Sequence, residues 1–211
     1  MAKTFHTSII APISNKYSFS PFSTQTYSNM QIKNLLFASS VVATAAAAPS
    51  AHSDTFGVIA IHSGSGVQNS GFNAAKSSLF AGLSKQGASC ARPKEQDATF
   101  YIKDGALYLY DKSATPQEIY VDRSGMGQGK IGYTTGAQPA PKNSERKGWA
   151  VKDGHLQFAG NDLIACPNSI DGAWSIWASA GVSNPAGNKD CVGIAARIEK
   201  TSNPNGCLYT E

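Results

Sequence analysis

Twice in this chain a Lys-Asp-Gly step divides two runs of alternating apolar and polar residues. Thr99-Phe100-Tyr101-Ile102-Lys103 leads through Asp104-Gly105 into Ala106-Leu107-Tyr108-Leu109-Tyr110. Gly148-Trp149-Ala150-Val151-Lys152 leads through Asp153-Gly154 into His155-Leu156-Gln157-Phe158. Asp-Gly supplies two residues that tolerate positive φ, as a two-residue type I′ turn demands, and the flanking period is that of half-buried strands. Two hairpins are therefore written into the sequence, and they point to an all-β fold.

The rest of the chain agrees. Phe56-Gly57-Val58-Ile59-Ala60-Ile61-His62 alternates, with Val58, Ala60 and His62 on one face and Ile59 and Ile61 on the other. Glu118–Asp122, Gly129–Thr134, Leu163–Ala165, Ala173–Ala178 and Val192–Glu199 read as further strands, separated by Gly- and Pro-bearing turns. About ten short strands in residues 49–211 predict a single secreted β-domain, a barrel or a sandwich, because such folds bury their edges. A β-trefoil-like barrel remains open. The two Lys-Asp-Gly hairpins, each followed by a further strand pair, also suggest an internal duplication. Residues 74–83 carry a loose helical spacing in Ala75, Leu79, Ala81 and Leu83, which Gly82 and the paired serines weaken.

Before the β pattern lies a second start. Met30-Gln31-Ile32-Lys33 opens a short apolar run that ends in small residues through Ala48, the layout of a secretory signal peptide over residues 30–48. Its core is shorter than the roughly 20 residues that span a bilayer. Residues 1–29 have no acid and no periodicity. They read as a disordered upstream extension, the alternative being a transit peptide that lacks the usual arginines. Beyond the leader stand 15 basic and 14 acidic residues, a net charge of +1 instead of the full chain's +4. No basic cluster suited to a nucleic-acid backbone stands out. The last residues carry no hydrophobic tail, so no GPI or other membrane anchor is expected, and no Asn-x-Ser/Thr sequon occurs.

Cys90, Cys166, Cys191 and Cys207 all follow the leader, an even count that predicts two disulfides in an oxidising compartment. Cys166 and Cys191 precede neighbouring strands, which favours Cys166–Cys191 with Cys90–Cys207. The sequential pairing, Cys90–Cys166 with Cys191–Cys207, stays open. No Cys-x-x-Cys pair and no clustered histidines suggest a metal, and no cofactor is expected.

Catalytic patterns fare poorly. Gly125-Met126-Gly127-Gln128-Gly129-Lys130 has glycines spaced like a phosphate loop, but a strand follows where a helix is needed, so it reads as a turn. Ser63-Gly64-Ser65-Gly66 fails in the same way. Glu118 and Asp122 share a strand face about 13 Å apart, beyond the carboxylate spacings of glycosidases. Asp104, Asp153 and Asp171 precede glycines, which is turn chemistry, and His62 and His155 suggest no triad. No catalytic residue is assigned. Four aromatic residues are candidates for carbohydrate contact. Trp174 and Trp177 fall on opposite faces of one strand, and Tyr108 and Tyr110 share a face; an exposed ring of this kind can stack on a sugar, though partial exposure alone signals nothing.

The stretch Phe56–Ser65, the hairpin Phe100–Tyr110, the block Ile119–Gly136, Ala165–Trp177 and Cys191–Arg197 together resemble the PhiA-type cell wall proteins of filamentous fungi. The resemblance spans essentially residues 30–211. It implies a secreted, non-enzymatic wall protein needed for phialide and conidium (asexual spore) development, from a family that includes IgE-binding allergens. Its implied partners are wall polysaccharide or other wall proteins, held non-covalently, and IgE in sensitised hosts. No functional residue is carried over from it.

Overall fold

The structure, a computed structural model, describes residues 54–211; residues 1–53, and with them the segments read as an upstream extension and a signal peptide, lie outside that range. In chain order the strands are β1 (Phe56–Ile61), β2 (Phe72–Ala75), β3 (Ser78–Ala81), β4 (Ser89–Cys90), β5 (Phe100–Lys103), β6 (Ala106–Leu109), β7 (Gln117–Asp122) and β8 (Lys130–Thr135). They continue as β9 (Ser144–Glu145), β10 (Trp149–Lys152), β11 (His155–Phe158), β12 (Leu163–Cys166), β13 (Trp174–Ala178), β14 (Val192–Lys200) and β15 (Cys207–Leu208). Two 3-10 turns, Ile170–Gly172 and Pro185–Gly187, are the only helical geometry among the described residues. The protein is all-β.

Pairing runs in a closed path. One arc is β5-β6-β7-β8, with β9 added beside β7. The other is β1-β14-β12-β13-β3, with β2 outside β3 and the β10–β11 hairpin hung from β14 by the pair His155↔Arg197. The longest ladders lie within the arcs: β1 meets β14 through six residue pairs, and β7 meets β8 through six. Between them the ring is thin. One seam is the single pair Phe56↔Phe100, whose rings stack 6.3 Å apart. The other is made by Ser78↔Gly132 and Trp177↔Lys130. The molecule thus has the continuity of a barrel and the two-arc division of a sandwich.

Gly129 makes the second seam possible. Its φ is +94°, and a Cβ there would lie 2.0 Å from the Ala178 carbonyl oxygen, while its own carbonyl accepts the Ala178 N–H at 2.8 Å. Only glycine fits so close a backbone approach. The glycine run that superficially resembles a phosphate loop is a turn, and its work is to bring β8 against β13.

Both Asp-Gly turns hold two left-handed residues, Asp104 and Gly105 at φ 52° and 78°, Asp153 and Gly154 at 50° and 79°. Their hairpins occupy non-equivalent places: β5–β6 is built into the ring, and β10–β11 hangs from it. The helical spacing at residues 74–83 is overturned. Those residues belong to the β2–β3 hairpin, turned by Lys76 and Ser77 at φ 47° and 52°. The Asn73 side chain fixes the exit by accepting the Leu83 N–H at 2.8 Å.

Inward residues from both arcs, among them Val58, Phe100, Leu107, Leu109, Ile119, Val121, Leu163 and Ile194, form one large buried cluster. Gln117 is buried beside it, and its side-chain amide is fully bonded. Its Nε2 donates to Thr135 Oγ1 and the Tyr209 carbonyl at 2.9 and 3.0 Å, and its Oε1 accepts the Tyr209 N–H at 2.8 Å. The disulfides are Cys90–Cys207, across the small β4–β15 ladder, and Cys166–Cys191.

Candidate functional site

The four aromatic residues singled out in the sequence go to different places. Trp174 is half-buried on the inward row of β13 with Ile176 and Ala178, and packs on the core beside Gly66. Tyr108 stacks on Tyr101 with ring centroids 5.1 Å apart and stands opposite Glu118 in the ladder; burial, with the Glu118 carboxylate beside it, holds its phenol above the ordinary range. Tyr110 lies just past β6, where its backbone bonds Thr99 and Cys207. Trp177 lines a cavity of about 430 Å³ on the outer face at the second seam.

The groove is assembled from five segments. β13 contributes Ser175 and Trp177, alternate residues facing away from the core. Trp177 Nε1 donates to Ser175 Oγ at 2.9 Å, so the indole's polar edge is satisfied within the protein. The β2–β3 hairpin adds Lys76, Ser78 and Phe80; the glycine turn and β8 add Met126 and Lys130. The two 3-10 turns supply the rest, including Ile170 and Asn188. Gln128 ties two walls together by accepting the Ala186 N–H at 2.7 Å. Cys166–Cys191 spans the 3-10 turns and β13 and so holds much of the lining in one covalent loop. Chemically this is a largely apolar trough with one aromatic plane, several hydroxyl and amide groups and two ammonium groups. Trp177 was legible in the sequence. Lys76, Met126, Ile170 and Asn188 were not, because no local pattern marks residues that only tertiary pairing brings together.

Several ionisable groups elsewhere are committed to partners. Arg146 bonds Glu118 at 2.7 Å and Thr134 at 2.9 Å. Arg123 grips both oxygens of Glu145 at 2.8 and 2.7 Å and lies 5.2 Å from the Phe158 ring centroid. That ion pair holds the Glu145 carboxyl below its ordinary range. Asp97 is pushed upward by desolvation, partly offset by the Asn73 amide; it packs against Gly71, where a Cβ would come within 2.3 Å of its carboxylate. Burial raises three phenols: Tyr101 and Tyr209 to about 12, and Tyr133 higher still. No group of three or more His, Cys, Asp or Glu side chains placed to hold a metal occurs among the described residues.

Residues 56–210 match the family described as PhiA-like secreted protein. The chain belongs to that family. Aspergillus fumigatus has a relative named "Cell wall protein phiA" that is 70% identical over 185 residues, covering 86% of this chain and all of the relative. A protein of the same name from Aspergillus niger is 66% identical over 86% of this chain and 99% of its own length. One from Arthroderma benhamiae is 43% identical over 68% and 81%. No solved structure matches the chain. This PhiA-like chain is a secreted protein of the cell wall.

Proposed function

We propose that this PhiA-like chain is a non-enzymatic wall protein that acts in phialide and conidium development. The observation that carries the reading is the 70% identity, over the relative's whole length, to a cell wall protein phiA. Supporting it, Glu118 and Glu145 are occupied by arginines, and Asp104 and Asp153 sit in turns. Deleting the gene in the source fungus is expected to reduce phialides and conidia, with rescue by the intact chain; unimpaired sporulation would overturn the role. Purified protein is expected to show no turnover on wall glucan or chitin. Turnover abolished by Asp97→Asn would instead make it a hydrolase.

A second reading is favoured by the groove at Trp177: the protein binds wall polysaccharide non-covalently. An aromatic face flanked by hydroxyls and an amide is the chemistry that stacks on a pyranose and bonds its hydroxyl groups. Saturable binding to a wall polysaccharide, lost in Trp177→Ala and kept in Tyr110→Ala, supports it. Other wall proteins, and IgE in sensitised hosts, are partners proposed from the family resemblance alone.

A further inference from the structure

We propose that the groove at Trp177 takes an anionic saccharide, a sugar bearing a carboxylate or phosphate, in preference to a neutral glucan or chitin chain; this rests on the carbohydrate-binding reading above. The charge pattern points there. The lining contains Lys76 and Lys130 and no Asp or Glu. All four arginines of the chain are in ion pairs with glutamates, at Glu95, Glu145, Glu118 and Glu199. Among the described residues, neither groove lysine is in an ion pair. The acid nearest in the ladder, Asp122 opposite Lys130, turns its carboxylate back to the Ser124 N–H at 2.9 Å and packs against Gly127.

Placement makes the two cations useful. Lys130 pairs with Trp177 across the seam, so its side chain rises from the strand position beside the indole. Lys76 stands in the β2–β3 turn and lines the same cavity. A ligand with its ring on Trp177 therefore lies in reach of two ammonium groups, which are compact, mobile point charges suited to a single carboxylate or phosphate oxygen. Since Trp177 Nε1 is already bonded to Ser175, the indole offers its face and not a donor. The orienting polar contacts then fall to the lysines, Ser78, Ser169 and Asn188. With a net charge of only +1 beyond the leader, the molecule has little general attraction for polyanions, so selectivity for charge must arise locally.

The test is calorimetric titration of the secreted, disulfide-bonded protein with three probes: an oligogalacturonate, a phosphorylated mannan oligosaccharide and a neutral β-glucan hexaose. One anionic probe is expected to bind at least about tenfold tighter than the hexaose, and added salt should erode the difference. The anionic probe that binds identifies the charged group. Lys130→Ala and Lys76→Ala, both at exposed positions, are expected to lower its affinity about tenfold each and leave hexaose binding unchanged. Lys130→Arg should retain it. Equal affinity for charged and neutral probes, or lysine variants that bind as well as the parent, would overturn the anionic preference and leave carbohydrate binding standing. Failure of all three probes removes the carbohydrate reading itself. Anionic binding that survives both Trp177→Ala and Met126→Asp would show attraction outside the groove and also overturn the proposal. Met126, 93% exposed, gives a variant that does not threaten the fold.

Discussion

Trp149 shows how a side chain can be buried for its bulk alone. It is 2% exposed, packs 5.0 Å from the Phe158 ring, and its Nε1 has no hydrogen-bond partner. A buried donor without an acceptor is a standing cost, so removing the nitrogen recovers part of what the smaller ring loses in packing. Trp149→Phe is expected to cost less than about 2 kcal/mol in urea unfolding, whereas Trp149→Ala should cost about 3–5 kcal/mol. The buried phenols make a second prediction. An unfolded tyrosine ionises near 10, and Tyr101 and Tyr209 ionise near 12 in the fold. Between those values the unfolded chain has lost protons that the native state still holds. Stability is therefore complete below about pH 10 and falls as pH rises towards about 12. Urea midpoints across that window check the sign; a flat profile would mean that the phenols are solvated.

Among the elements, the disulfide loops carry the clearest consequence. Cys166–Cys191 closes a separation of 25 residues and Cys90–Cys207 one of 117. On the chain-entropy account the longer closure stabilises more, about 5 kcal/mol against about 3.5. Replacing Cys90 and Cys207 by alanine should therefore lower the urea midpoint further than replacing Cys166 and Cys191. Binding should show the opposite order, because the shorter loop holds the 3-10 turns that line the Trp177 groove. Elements were legible where turn chemistry flanks an alternating sequence. The β5–β6 and β10–β11 hairpins have both the Asp-Gly turn and the apolar–polar period, and both were readable, although burial itself alternates cleanly only in β11 of the four strands. β2 and β3 were not: Phe72–Ala75 is buried at every position and Ser78–Ala81 at three of four, so period 2 vanishes and chance helical spacing shows through. β4, β9 and β15 have two residues each, too few for any period. Trp177 was visible as one of two tryptophans on opposite faces of a strand, with no sign of which one faced outward. The lysines beside it were not, since Lys76 and Lys130 meet it only through seam pairing.

For the molecule as a whole, β14 is the strand on which closure depends. It pairs with β1, β11 and β12. A fragment ending at residue 190 loses β14 and Cys191 together, opens the ring between β1 and β12, and removes the strand from which the β10–β11 hairpin hangs. It is expected to lack the dispersed amide and methyl resonances of the full chain in NMR spectra, and a native-like spectrum would contradict this account of the ring. The pairing of β1 with β14 also has a consequence in time. A chain made and exported from its amino end carries Phe56–Ile61 outward long before Val192–Lys200 has been synthesised. Its first strand must travel with an open edge while well over a hundred residues follow. The ring of this protein is therefore closed last, by the strand that synthesis delivers last to it.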